Sequence, residues 1–354
     1  MFKPLACALA LLCGASAAPA DEGLRRAYAG PPATWPAPTI DPGVAFVELG
    51  ALPAPPAPTG REAALARLGE RLFHDPRLSA TGRVACASCH RPDQGWTVRT
   101  ARAAGVHGRR GLRNPPGLLD VAARASWGWD GASDSLAAQS LRALTDAREM
   151  GQPSLAAAWR AVAQAPGDAR RWRALGADAA NGPALLGEAL AAYQRGLHRR
   201  SAFDRFAQGD ARALGDAALR GLHLFRTRAR CANCHFGPTL SDGRFHTLGI
   251  AFIGEPSQDT GRHSVTGACD DVGRFRTPGL RHVALTAPYM HHGLFGSLRG
   301  VLHLYTRGGG EPRGRPEAQR DPLHACAQTL SPLLRPVALD AADTEALLAF
   351  LRAL

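Results

Sequence analysis

The sequence predicts a mainly α fold of two packed domains that share one plan. Three observations predict it. The pentapeptide Cys-x-x-Cys-His occurs twice, as Cys86-Ala87-Ser88-Cys89-His90 and as Cys231-Ala232-Asn233-Cys234-His235. Each copy follows a segment with helical apolar spacing, and strand-like alternation is scarce. The pentapeptide reads as covalent c-type haem attachment. On one helical turn, each cysteine can form a thioether to a haem vinyl group, and the next histidine reaches the iron as proximal ligand. Zinc and dithiol redox sites also use Cys-x-x-Cys, but here His closes both copies and an export signal precedes them. Two covalently bound haem c groups are therefore expected, one on Cys86, Cys89 and His90, the other on Cys231, Cys234 and His235.

In chain order, residues 1–20 carry Lys3, an apolar run from Leu5 to Leu12, and Ala-Ser-Ala and Ala-Pro-Ala as cleavage candidates. This is the pattern of a secretory signal peptide and is too short to span a bilayer. It implies export to the periplasm, and no other stretch is long and apolar enough to cross a membrane. Residues 21–57 are rich in Pro and Ala and read as an extended arm. A first domain is expected over residues 58–208. Its first helix should run from Arg61 to Phe73, with Leu65, Leu68, Leu72 and Phe73 on one face. After the first haem motif comes a long loop to Asn114. Helical patterns resume at Ser135–Leu144, Leu155–Gln164 and Pro183–Leu197, where Pro183 suits a helix start.

The second domain is expected over residues 209–354. A helix near Asp210–Phe225 leads into the second motif, a Gly-rich loop follows, and helices near Ser297–Tyr305 and Asp340–Leu354 close the chain. The parallel order of helix then motif fits a diverged duplication. Low aromatic content (6%) with 39 Gly and 27 Pro fits cores filled partly by porphyrin.

Of eight cysteines, Cys7 and Cys13 fall in the signal and four hold haem. Cys269 and Cys326 remain, either a disulfide in an oxidising compartment or two separate thiols. The formal charge is +12, and Lys3 is the one lysine beside many arginines. Some arginines should bind haem propionates. The basic surface either steers an acidic electron donor or reflects an Arg-rich codon preference. Nothing supports nucleic-acid binding.

Several blocks together resemble the bacterial dihaem cytochrome c peroxidases and their MauG-like relatives. They are Leu72-Phe73-His74-Asp75-Pro76-Arg77-Leu78-Ser79, the first haem motif, Arg113-Asn114-Pro115-Pro116, Trp129-Asp130-Gly131 and Glu149-Met150-Gly151. In the second half they are Leu224-Phe225, Leu240 to His246, and Thr286-Ala287-Pro288-Tyr289-Met290-His291. The likeness spans about residues 60–310. It implies two cytochrome c-like haem domains packed against each other, with the reactive haem in the first.

By this resemblance, His90 is proximal ligand of the peroxide-reactive iron. Gln139 matches a distal glutamine that orients peroxide, and Glu149 an acid–base glutamate that moves its proton. Trp129 matches an inter-haem tryptophan, with Trp127 as neighbouring competitor. His235 is proximal ligand of the electron-entry haem, and the family's sixth-ligand position falls on Tyr305, with Met290 as alternative. A phenolate favours oxidised iron, whereas Met raises its potential. His291 matches a propionate contact. Asn114, Thr286 and Pro288 match the ligands of a calcium ion between the domains. Departures from the family pattern are Ala143 for a distal-pocket proline, Ala132 for an arginine and His292 for an aspartate. His107 reads as a surface loop residue, which would leave the first iron open.

Three functions follow. The leading expectation is a periplasmic peroxidase that reduces hydrogen peroxide to water with electrons from a small redox protein, a cytochrome c or cupredoxin. The second is a MauG-like oxidase that uses peroxide to oxidise aromatic residues of a partner protein; Tyr305 favours it. The third is a dihaem electron carrier, against which Glu149, Gln139 and Trp129 argue.

Overall fold

A computed structural model describes residues 22–165, 167–311 and 316–354. The signal segment lies outside the described residues. The chain is mainly helical. In order, the helices are α1 (Glu22–Ala27), α2 (Gly60–Phe73), α3 (Cys86–Cys89), α4 (Leu136–Thr145), α5 (Leu155–Ala163), α6 (Asp168–Ala174) and α7 (Gly182–Arg195). They continue as α8 (Ala202–Ala207), α9 (Asp216–Arg226), α10 (His263–Thr266), α11 (Leu298–Thr306) and α12 (Ala341–Ala353). Two three-residue strands, β1 (Phe245–Thr247) and β2 (Arg274–Arg276), pair antiparallel with Phe245 opposite Arg276.

Local chemistry sets the helix starts. The side chains of Ser135, Ser154, Ser297 and Asp340 each accept a backbone N–H of the first turn, at α4, α5, α11 and α12, satisfying donors that have no partner within the helix. Pro183 stands in the first turn of α7, as the sequence predicts. Helices α1, α6 and α8 are six or seven residues long, too short for periodicity to announce them.

Two large apolar clusters form. One gathers Leu65, Leu68, Leu72 and Phe73 of α2 with Leu186, Ala189 and Leu190 of α7. The other gathers Leu219, Leu222 and Phe225 of α9 with Leu347 and Phe350 of α12. The same device closes both. A Cβ on Gly69 would lie 1.8 Å from the Ala189 carbonyl oxygen, and one on Gly221 would lie 2.0 Å from that of Ala346. Each pre-motif helix therefore crosses its partner at a glycine, backbone against backbone. Gly221→Ala forces α9 and α12 apart and is expected to cost about 1–3 kcal/mol or more, read as a lower denaturation midpoint with unchanged slope.

The second cluster also takes Tyr28, Trp35 and Leu49 from the Pro/Ala-rich arm, and Phe203 and Phe206 from α8. The arm lies along the second half because these side chains are apolar enough to anchor it, with Arg226 donating to Tyr28 and the Pro36 carbonyl (2.9 and 2.7 Å). Helix α8 packs there too, ahead of the residue-208 boundary.

Polar ties join the halves. Asp120 accepts from His198 at 2.6 Å and His282 at 2.9 Å. Arg113 spans Asp130 and Asp259 (2.5 and 2.7 Å). Cys269 and Cys326 form a disulfide with Cα atoms 5.3 Å apart, resolving the open alternative. No helix among the described residues is long and apolar enough to cross a membrane.

Candidate functional site

The two Cys-x-x-Cys-His motifs sit on tight turns, Cys86–Cys89 as one α turn and Cys231–Asn233 as a 3-10 turn. Both histidines are locked alike. His90 Nδ1 pairs with the Trp96 carbonyl at 3.0 Å, and His235 Nδ1 with the Leu240 carbonyl at 3.0 Å. A carbonyl can only accept, so Nδ1 carries the proton and Nε2 keeps its lone pair, the tautomer a metal needs. Burial lowers the pKa of both imidazoles, that of His90 to about 4, so they stay neutral. The same burial raises the four thiols, to about 12 at Cys86, Cys231 and Cys234 and about 11 at Cys89.

A cavity of about 230 Å³ opens beside the second motif. Cys231, Cys234 and His235 line one side; Leu302, Tyr305 and Leu347 line another; Trp129 reaches it from the first half. Tyr305 projects from α11, and burial followed by the nearby Cys234 and Cys231 raises its phenol pKa well above the usual range. Met290 also lines the cavity, so both residues expected as alternatives border it.

Buried charge shows what this space fits. Arg124 and Arg276 line it, and neither makes an ion pair among the described residues. Arg124 donates to the Gly117 carbonyl at 2.5 Å, and Arg276 to the carbonyls of Gly128 and Thr277 at 3.2 Å each. Burial depresses them to about 9 and about 10. A buried guanidinium without a counter-charge is costly, and haem propionates are the anions these sites would supply. The residues present therefore fit the expected groups: thiols on a turn, a pre-set imidazole, an apolar cavity beside the second motif, and on its wall a half-buried Arg124 and a buried Arg276 without an ion pair among the described residues.

Around the first motif, α4 presents Gln139, whose Oε1 is buried without a partner. The turn after α4 brings Glu149 close enough for its charge to raise Cys86 and Cys89. Its backbone is pinned, since Val106 N donates to the Glu149 carbonyl at 2.9 Å. Glu149 is exposed at the surface of the chain, with protein atoms crowding its carboxyl. Desolvation, then repulsion from Asp146, lifts its carboxyl to about 7, with Arg142 acting the other way. His107 is exposed at the tip of the adjoining turn.

The tryptophans separate by placement. Trp127 packs against the first core and donates to the Val121 carbonyl at 3.2 Å. Trp129 lies on the cavity wall between the halves and donates to the Asn114 carbonyl at 2.8 Å. Asn114 N donates to the His291 carbonyl at 2.7 Å. The His291 ring stacks on Phe275 at 3.6 Å, and its Nε2 is buried without a partner. Asn114, Thr286 and Pro288 border this same cavity. The Asn114 amide donates to the carbonyls of Thr100 and Ala101 (3.3 and 3.2 Å), which leaves its oxygen free to bind a cation.

Sequence reasoning did not single out Arg124, Arg276, Trp96 or Leu240. Among so many arginines no local pattern marks two as lining the cavity. The carbonyl acceptors carry no side-chain signal at all.

Known proteins resemble this chain in sequence and in fold. A family model described as di-haem cytochrome c peroxidase matches residues 63–212. Cytochrome-c peroxidase IdrP2 of Pseudomonas sp. (strain SCT) is 34% identical over 331 residues, covering 86% of this chain and 84% of that protein. Methylamine utilization protein MauG of Methylorubrum extorquens is 39% identical over 246 residues, 68% of each. A solved MauG-like protein associated with microbial copper homeostasis superposes with TM-score 0.70 at 30% identity, over 87% of this chain and 93% of that one. The diheme peroxidase BthA of Burkholderia thailandensis superposes with TM-score 0.68 at 25% identity, over 90% and 94%.

Proposed function

The chain belongs to the di-haem cytochrome c peroxidase family, and from that premise we propose how its two sites divide the work of a dihaem peroxidase acting on hydrogen peroxide. One observation carries the proposal: the motifs fold alike but their surroundings differ. A carboxyl raised to about 7 and a buried unpartnered amide oxygen accompany the first; a half-buried phenol on the cavity wall borders the second.

The first haem domain includes Cys86, Cys89 and His90 and takes peroxide. The second includes Cys231, Cys234 and His235 and receives electrons. We place the boundary near residue 200, with the arm belonging to the second domain. When bound, haem supplies the electron exchange that splits the O–O bond. Glu149 takes the proton from the inner peroxide oxygen and returns it to the outer one, and Gln139 orients the peroxide. Each peroxide takes up two electrons and two protons and leaves as two waters. Trp129 carries electrons between the domains. Arg124, Arg276 and His291 would hold haem propionates. Tyr305, with Met290 the alternative, would supply a further ligand to the second haem. Asn114 Oδ1 with the carbonyls of Thr286 and Pro288 holds one Ca²⁺, completed by water.

Export to the periplasm and a small cytochrome c or cupredoxin as donor complete this reading. A phenol ligand favours the second reading, a MauG-like oxidase acting on aromatic residues of a partner protein. Turnover decides between them. The haem-loaded protein should show one high-spin and one low-spin haem by EPR and should oxidise reduced small cytochrome with peroxide. Slow turnover with a long-lived oxidised state selects the MauG-like reading. Two low-spin haems inert to peroxide would leave an electron carrier.

A further inference from the structure

Both proximal histidines donate to the carbonyl of a residue in the left-handed region, Trp96 at φ +61° and Leu240 at φ +54°. Non-glycine residues seldom adopt this conformation, so the two sites share a strained device for fixing the imidazole. Leu240 shows that the device needs no aromatic ring. At the first site the same position carries an indole, which can be oxidised by one electron.

That indole is not isolated. The Trp96 ring meets the Tyr193 ring at 6.2 Å and 65°. Both rest on Phe73, at 5.9 and 5.3 Å, and Phe73 lies 6.5 Å from the His90 ring. Tyr193 sits on α7 and is partly exposed, within range of the charge of Glu70. An oxidisable pair thus runs from the first proximal ligand to solvent, on a route separate from Trp129, which lies on the inter-domain cavity wall. Leu240 offers no oxidisable ring at the second site.

We propose that Trp96 and Tyr193 form a second electron route to the first haem, through which the protein discharges an oxidising equivalent when no donor protein is bound. This rests on the reading of the His90 site as the peroxide-reactive one. Peroxide is the oxidant. Of the two electrons that convert one H2O2 into two waters, one comes from the haem pair and the other from Tyr193 by way of Trp96. The phenol proton leaves to solvent, so Tyr193 becomes a neutral radical. Small phenolic reductants return the electron and proton at its exposed edge, giving the protein a peroxidase activity that needs no protein docking.

The test uses the full haem-loaded chain grown with ring-deuterated tyrosine. One equivalent of peroxide is added without donor, and the sample is frozen for EPR. A tyrosyl signal narrowed by deuteration is expected. It should fall at least tenfold in Tyr193→Phe and several-fold in Trp96→Leu, which copies the second site. The oxidised haem should persist longer in Tyr193→Phe. If Trp96→Leu fails to load haem, Tyr193→Phe alone decides. A peroxide-oxidised haem with no tyrosyl signal, or a signal unchanged in Tyr193→Phe, overturns the route and leaves the peroxide chemistry standing. A first haem whose optical spectrum ignores peroxide overturns the functional reading and the route with it.

Discussion

Glu149→Gln lowers the rate at which peroxide reacts with the haem-loaded protein by about 10²–10⁴-fold, the range expected for losing a positioned acid–base group. Gln keeps the size and hydrogen-bonding reach of the side chain but cannot take up or release the proton. Both haems should remain attached, and the spectra at rest should be nearly unchanged. Stopped-flow absorbance at the Soret band measures the step directly, and an unchanged rate would reject the assigned role.

The carboxyl also predicts a pH profile. Burial, reinforced by Asp146, disfavours the charged form and raises its pKa from 4.5 to about 7. The first task is to accept a proton, so the active form is the carboxylate, which predominates above that pH. The peroxide reaction should slow about tenfold per pH unit below 7 and level off above it. In Glu149→Gln this inflection should vanish. A wild-type profile flat between pH 5 and 8 would remove Glu149 as the base.

Tyr305→Phe should convert the second haem from low-spin toward high-spin, because the phenyl ring has no atom to offer iron. The phenol borders the same cavity as Cys231 and Cys234, and burial with their charge raises its pKa. Burial there penalises a free phenolate, so bonding to iron, which stabilises the deprotonated oxygen, is what would make that form tenable. The variant should therefore show two high-spin haems by EPR, a raised potential at the second site, and faster loss of the peroxide-oxidised state. An unchanged low-spin signal would return the sixth position to Met290, which borders the same cavity.

How far the sequence reached depends on the range of the cause. The motifs Cys86–His90 and Cys231–His235, the starts at Ser135, Ser154, Ser297 and Asp340, and the long helices α2, α7 and α12 follow from neighbours in sequence. Ligand chemistry, capping and amphipathic spacing all act within a turn or two, so they are visible in the chain itself. Gln139 and Glu149 became legible only through the resemblance, since a glutamine on a helix and a glutamate after one carry no local mark of function.

Other features had no local cause to read. The arm's packing against the second core depends on Trp35 meeting Phe203 and Phe206, about 170 residues away. In the chain Trp129 is told from Trp127 only by the Asp130-Gly131 that follows it; its place on the cavity wall comes from the fold. Cys269 and Cys326 needed an approach of 5.3 Å between Cα atoms to become a disulfide.

By itself, then, the sequence determined that this protein is a mainly helical chain with two covalent haem sites and the family's peroxide chemistry, because attachment needs only contiguous residues. The tertiary structure decided the asymmetry between those sites. It set Arg124 and Arg276 on the cavity wall without an ion pair among the described residues, raised the Glu149 carboxyl to about 7 and placed Tyr305 on the same cavity. Desolvation and charge proximity depend on what the whole fold packs around a group, and no stretch of chain specifies that alone.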